Sequence, residues 1–118
     1  MSLDWKKCFL NVPLNSAGLI EHDSDDPEWK NVFTVEITNV EYNLLSDVFY
    51  DWNCKFHILI DIFEEETLDP ENAQEAMEIL KRHIEKKSDN QDFLSAAEKL
   101  KSALEKAIEV KMPLFLDF

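Results

Sequence analysis

The stretch Phe56-His57-Ile58-Leu59-Ile60-Asp61-Ile62-Phe63-Glu64-Glu65-Glu66-Thr67-Leu68-Asp69-Pro70 holds two signals on which the architecture turns. Its first part reads as a strand over 55–63. Phe56, Ile58, Ile60 and Ile62 fall on one face, and His57, Leu59, Asp61 and Phe63 on the other. β-Branched residues at period two suit a pleated strand, and apolar residues on both faces suit a central one. Asp61 then stands out as a carboxylate in a segment otherwise fit for burial. The last part is a helix start, with Asp69 as N-cap and Pro70 at the first helical position, where its missing N–H would be unsatisfied anyway.

Downstream, Ala73, Ala76, Met77, Leu80 and Ile84 form an apolar stripe at helical spacing up to about Lys87. Acids lead this helix (Glu71, Glu75, Glu78) and bases close it (Lys81, Arg82, Lys86, Lys87), as the helix dipole favours. Ser88-Asp89-Asn90 stops it and caps a second helix from about Gln91 to Glu109, with Phe93, Ala97, Leu100, Leu104, Ala107 and Ile108 as its stripe. So short a join implies an antiparallel helix pair. Pro113 ends the helical region, and residues 114–118 alternate as a last strand. A crossover from strand 55–63 through the pair would set that strand parallel to it, with right-handed connection.

Upstream, residues 5–12 read as a strand and Pro13 to Gly18 as a turn. Residues 21–28 carry five carboxylates in eight positions and read as a solvated loop. Residues 32–40 alternate, with Phe33, Val35 and Ile37 on one side, which predicts a half-buried strand. Residues 41–52 change period: Tyr42, Leu45, Val48, Phe49 and Trp52 share a helical face opposite Asn43, Asp47, Tyr50 and Asp51. A short helix fits, with a strand as the alternative. The expected fold is α+β: one domain over 1–118, with a small mixed sheet of three to four strands, an antiparallel helix pair on it, and a short helix near 41–52.

The formal net charge of −13 on 118 residues disfavours nucleic acid and anionic membranes as partners and favours a basic protein. The charge is uneven. Residues 1–68 hold 14 acids and 4 lysines, net −10, whereas residues 69–118 hold 11 acids and 8 bases, net −3. A single glycine, Gly18, argues against glycine-rich phosphate loops. The two cysteines, Cys8 and Cys54, sit in apolar surroundings without Cys-x-x-Cys or zinc spacing, and read as reduced, buried hydrophobes. With no hydrophobic leader and no apolar run long enough to span a bilayer, a cytoplasmic protein is expected.

No local motif joins a nucleophile, a base and an orienting acid. His57 and Asp61, four apart on a strand, would stand roughly 13 Å from one another. His83 lies between Arg82 and Lys86 at an expected exposed, cationic helix end, and His22 lies in the acidic loop. The knot Asp61, Glu64, Glu65, Glu66 could be a metal or catalytic site, a protein-binding patch or a solvated turn. Contiguous glutamates point apart and do not converge on a cation, so no metal, cofactor or catalytic residue is expected.

The stronger signal is aromatic and acidic together. Trp5, Trp29, Trp52, Tyr42 and Tyr50 all lie in the acidic first part. Tyrosine and tryptophan anchor interfaces, and carboxylates steer a basic partner. The expected partner-binding residues are Asp47, Tyr50, Asp51, Glu64, Glu65, Glu66 and Trp29; the competing account is that the aromatics fill a core and the acids solubilise it.

Leu59-Ile60-Asp61, the acids after it, Thr67, a proline-started helix, a second helix and a terminal apolar strand together resemble the small acidic immunity proteins of bacterial polymorphic-toxin and contact-dependent-inhibition systems. That resemblance covers about half the chain. It implies a cytosolic protein that binds a cognate, often basic, toxin domain (a nuclease among the candidates) and blocks its active site. The alternative is a small acidic secretion-type chaperone or adaptor that binds an effector protein. An enzyme or metal protein using Asp61, Glu64 and Glu66 is the least favoured.

Overall fold

A computed structural model describes residues 7–24 and 28–118. Strand β1 (Lys7–Pro13) leads into helix α1 (Ser16–Asp23), and strand β2 (Val32–Thr38) returns beside β1. Helices α2 (Asn39–Leu44) and α3 (Ser46–Phe56) then carry the chain to the opposite edge of the sheet, strand β3 (Glu65–Leu68). A 3-10 turn (Pro70–Asn72), helix α4 (Ala73–Lys86) and helix α5 (Gln91–Val110) precede the last strand, β4 (Leu114–Asp117). The sheet order is β2-β1-β4-β3, antiparallel throughout, so the fold is α+β as expected.

Alternation divides the sheet into two unlike faces. Cys8, Leu10, Val12, Ile37, Leu114 and Leu116 are fully buried beneath the helices. Helix α5 lies across β1, β2 and β4 with Phe93, Ala97, Leu100 and Leu104 facing inward, and α4 packs beside it. The alanines Ala73, Ala76, Ala96, Ala97, Ala103 and Ala107 are all buried, and small side chains let elements approach closely. Helix α3 packs on α4, with the buried Trp52 indole donating to the Ala76 carbonyl at 3.2 Å. Tyr42, Phe49 and Phe118 close this layer as a ring cluster with centroids 5.4–5.5 Å apart.

The strand expected at 55–63 is not there. Helical spacing continues through Val48, Trp52 and Phe56, and α3 ends only at His57, in the left-handed region with φ 57°. The following segment is irregular. Asn53 takes the place of a ladder partner, its Oδ1 accepting from Ile60 N at 2.7 Å and its Nδ2 donating to Ile60 O at 3.4 Å. Ile60 is buried, while Leu59 and Phe63 are about two-thirds exposed at 66% and 63%. The β-branched run therefore packs as an anchored loop, because one amide satisfied the backbone that a strand would have paired. Asp61 is exposed there, not a buried oddity.

The parallel pairing fails with it. β3 and β4 run antiparallel, with Glu65 opposite Asp117 and Leu68 opposite Leu114. A helix pair goes out and comes back, so the chain re-enters the sheet at the end it left, and the next strand must reverse. A single crossover helix would have given the parallel arrangement.

At the other end, Asn15 caps α1 by accepting from Gly18 N at 3.0 Å, so the expected turn at Pro13–Gly18 holds a helix start. Helix α1 also takes Glu21, His22 and Asp23 out of the expected loop. The segment at 41–52 is two helices, and α2 is opened by a capping box between Thr38 and Glu41. The strands at 32–40 and 114–118 and both long helices stand where expected to within a few residues. Neither cysteine is bonded in a disulfide, but only Cys8 is buried; Cys54 is exposed on α3. No helix among the described residues is long and apolar enough to cross a membrane.

Candidate functional site

The face of the sheet turned away from the helices bears Lys7, Phe9 and Asn11 on β1, Thr34 and Glu36 on β2, Phe115 and Asp117 on β4, and Glu65 and Thr67 on β3; Lys7 pairs with Glu36 at 3.7 Å. Helix α1 reaches over part of this face. Its His22 ring stacks on Phe115 with centroids 3.9 Å apart and planes within 8°, and Trp29 tilts against His22 at 5.4 Å. What remains open is a cleft of about 620 Å³, lined by Phe9, Asn11, His22, Asp23, Trp29, Thr34, Glu65 and Asp117.

The floor is a fixed polar chain. Thr34 Oγ1 donates to Asn11 Oδ1 at 2.7 Å, and Asn11 Nδ2 donates to Asp117 Oδ2 at 2.6 Å. His22 Nε2 donates to the same Asp117 Oδ2 at 2.7 Å. Asn11 is only 2% exposed, and its side-chain oxygen and nitrogen are both paired, as a buried amide requires. Both donors converge on one oxygen of Asp117, Oδ2. His22 Nδ1 and Trp29 Nε1 are buried and have no hydrogen-bond partner among the described residues.

Three carboxylates, Asp23, Glu65 and Asp117, line this cleft, and no lysine or arginine does among the described residues; Lys7, on the same face, is paired with Glu36. Glu65 and Asp117 stand directly opposite each other on neighbouring strands. Cross-strand partners lie about 5 Å apart at Cβ, and like charges so placed are destabilising, on the scale of about 0.2–1 kcal/mol per pair.

Clamping of the α1 approach has its own carboxylate. Glu21 accepts from Lys30 N at 2.7 Å, Asn31 N at 2.8 Å and Asn31 Nδ2 at 2.6 Å. These bonds, the Asn31 side chain first, hold the Glu21 carboxyl below its ordinary range. The same segment closes over Gly18, where an added Cβ would overlap the Asn31 carbonyl oxygen and stand 3.0 Å from Pro13 Cα.

The residues expected to bind a partner fall on two surfaces. Trp29 and Glu65 line the cleft. Asp47, Tyr50 and Asp51 lie together on the outer side of α3, as helical spacing predicts, and Tyr50 is 66% exposed. Two of these acids also hold α4: Asp47 meets Lys87 at 3.1 Å, and Asp51 meets His83 at 2.6 Å. His83 is thus no exposed cationic end; its side chain is 13% exposed and bonded to a carboxylate. A hydrogen bond with Cys54 raises the Tyr50 hydroxyl above its usual range. The cavity beside them, about 430 Å³, mixes Lys55, Arg82 and Lys86 with Asp51 and Glu75 and has no single sign.

Glu64, Glu65 and Glu66 do not act as one run. Glu66 pins the loop by accepting from Leu59 N and Thr67 N, both at 2.9 Å, while Glu64 points to solvent. The aromatics divide likewise. Trp52 is fully buried and Tyr42 half-buried in the core, whereas Tyr50 and Trp29 face outward or line the cleft. Trp5 lies outside the described residues.

Sequence reasoning missed Phe9, Asn11, His22 and Asp117. The available signals were slight: a polar Asn11 inside an apolar strand, and Asp117 on the off-beat of the last one. Among the described residues, no group of three or more His, Cys, Asp or Glu converges to hold a metal ion. Comparison with protein-family models, with curated proteins and with solved structures gives no match to this chain.

Proposed function

We propose that the protein is an immunity-type inhibitor, acting in the cytoplasm, that binds a cognate basic toxin domain such as a nuclease through an acidic, aromatic-lined surface. The observation that carries this reading is the cleft on the open sheet face, with three carboxylates, Trp29 and Phe9 on its walls and no lysine or arginine among its described lining residues. A toxin that holds nucleic acid presents lysines and arginines to phosphate, and a carboxylate-lined surface competes for the same side chains. The α3 ridge with Asp47, Tyr50 and Asp51 offers a second acidic surface, separate from the cleft. Asp47 and Asp51 can recruit toxin cations only by sharing or exchanging Lys87 and His83.

Co-expression with the protein encoded by the adjacent reading frame tests this. The neighbour is expected to be toxic alone, to be tolerated with this protein, and to co-purify with it in a complex whose association slows as salt is raised. A harmless neighbour, or one that fails to co-purify, overturns the reading.

A further inference from the structure

We infer that the open edge of β2 is where the basic partner docks, adding an extended segment of its own chain to the sheet as a further strand, with apolar side chains toward α5 and basic ones toward the open face. The inference rests on the inhibitor reading for the identity of the partner, while the mode of docking stands on the edge itself.

The two edges of the sheet are unlike. β3 is four residues long, begins with two glutamates, and has Glu66 turned to the Leu59 N–H of the loop before it. Short, charged edges discourage pairing. β2 is seven residues long, Val32-Phe33-Thr34-Val35-Glu36-Ile37-Thr38, and keeps unbroken register with β1 throughout. It has no proline, no bulge and no lysine, and Glu36 is its one charge. Thr38 is closed off by α2, its N–H donating to the Glu41 carboxylate at 2.9 Å. From Val32 to Ile37, alternate residues turn N–H and C=O away from β1, and no described strand receives them.

A second observation lies on the helix side of the same edge. Ile37 is fully buried, but Phe33 and Val35, which point the same way, are only half-buried. Beside Val35 a groove of about 540 Å³ runs between β2 and α5, lined by Val35 and Leu94 together with Ser95, Glu98 and Lys99. A strand added to β2 lies about 4.8 Å beyond it, and every second side chain of that strand projects toward this groove. The open row of backbone groups and the groove thus fit one object, a chain of period two whose inward side chains are apolar. Charge selects its source. Lys99 is already paired with Glu41 at 2.8 Å, Glu98 has no ion pair among the described residues, and Glu36 stands on the open side of the same strand. A second copy would set −13 against −13, whereas a basic segment is drawn to the same charge.

The test uses the intact protein and three synthetic peptides: one alternating lysine and valine, one of the same composition with lysines and valines in separate blocks, and one alternating glutamate and valine. Binding is followed by NMR together with hydrogen exchange of the β2 amides. The alternating lysine peptide is expected to bind saturably and to slow exchange at every second amide between Val32 and Ile37. The block peptide should bind weakly without that protection, and the glutamate peptide not at all. Leu94→Lys is expected to weaken the alternating lysine peptide about ten-fold, the scale of one apolar side chain lost from an interface. Should Leu94→Lys fail to fold, Glu98→Lys, changed at an exposed position of α5, decides in its place with a loss of the same sign. The inference is overturned if the β2 amides gain no protection, if the block peptide binds as tightly, or if the folded variant keeps the parent affinity. A dimer of the protein alone that protects the same amides at raised concentration would give the edge to a second copy and overturn it equally. A toxic neighbour that co-purifies unchanged with folded Leu94→Lys removes the strand docking and leaves the inhibitor reading standing. Peptide pairing on β2 beside a harmless neighbour does the reverse.

Discussion

Single residues set the tolerances of the cleft. Gly18 lets α1 lie against the Asn31 carbonyl and the Pro13 backbone, and neither obstacle is the flexible end of a side chain. Gly18→Ala is therefore expected to destabilise the protein by about 1–3 kcal/mol, the usual penalty of overpacking, despite the better helix propensity of alanine; urea denaturation measures it. Glu21 makes a pH prediction. Its carboxyl is held below the reference value of 4.5 in the folded state, so its contribution is complete above the unfolded value and is lost as pH falls through the lower folded one. An NMR titration should show the Lys30 and Asn31 amides moving together with a midpoint below 4.5. A midpoint at or above that value would mean the three donors do not hold the charged form. At this scale part was legible: Asp69-Pro70 and Asn90 stand at helix starts, whereas Thr38, expected inside a strand, caps α2. Glu21 was not, because nothing in a run of carboxylates tells which one will meet a pair of amides ten residues on.

At the scale of elements, the long helices were legible because their stripes recur over several turns and their ends carry caps. Residues 56–63 were not, because a short apolar run fits a strand, a buried helix end and an anchored loop alike. What decides among them is Asn53, which is a contact and not a pattern. The aromatic residues of α3 show the same limit. Trp52 and Tyr50 are two positions apart, yet one is fully buried and the other 66% exposed. Trp52→Ala is expected to cost about 3–5 kcal/mol, through lost packing and the lost indole hydrogen bond to the Ala76 carbonyl. Tyr50→Ala, changed at the surface of the same helix, should stay within about 0.5 kcal/mol in the same denaturation experiment. Equal losses would mean that α3 is not the one-sided helix described.

For the molecule as a whole, sequence reading found the asymmetry of charge but not its geometry. A net −10 over residues 1–68 indicates where acid is plentiful. The cleft joins Asp23 and Glu65, far apart within that first part, to Asp117 from the last strand. Sheet order brings these together, and sheet order depends on how many helices separate two strands. The central pairing of β1 with β4 also bears on the route to the folded state. Asn11 and Asp117, joined in the floor of the cleft, are 106 positions apart. Contacts of such long range form slowly, because the chain between them must be ordered before they repay its entropy. Every other neighbouring pair of strands spans a shorter stretch of chain, so the joining of β1 to β4 is expected to come last. The floor of the cleft is made in that same event. A chain in which β1 and β4 are still unpaired has no bonded Asn11–Asp117 pair, so that one hydrogen bond marks a molecule whose sheet is complete.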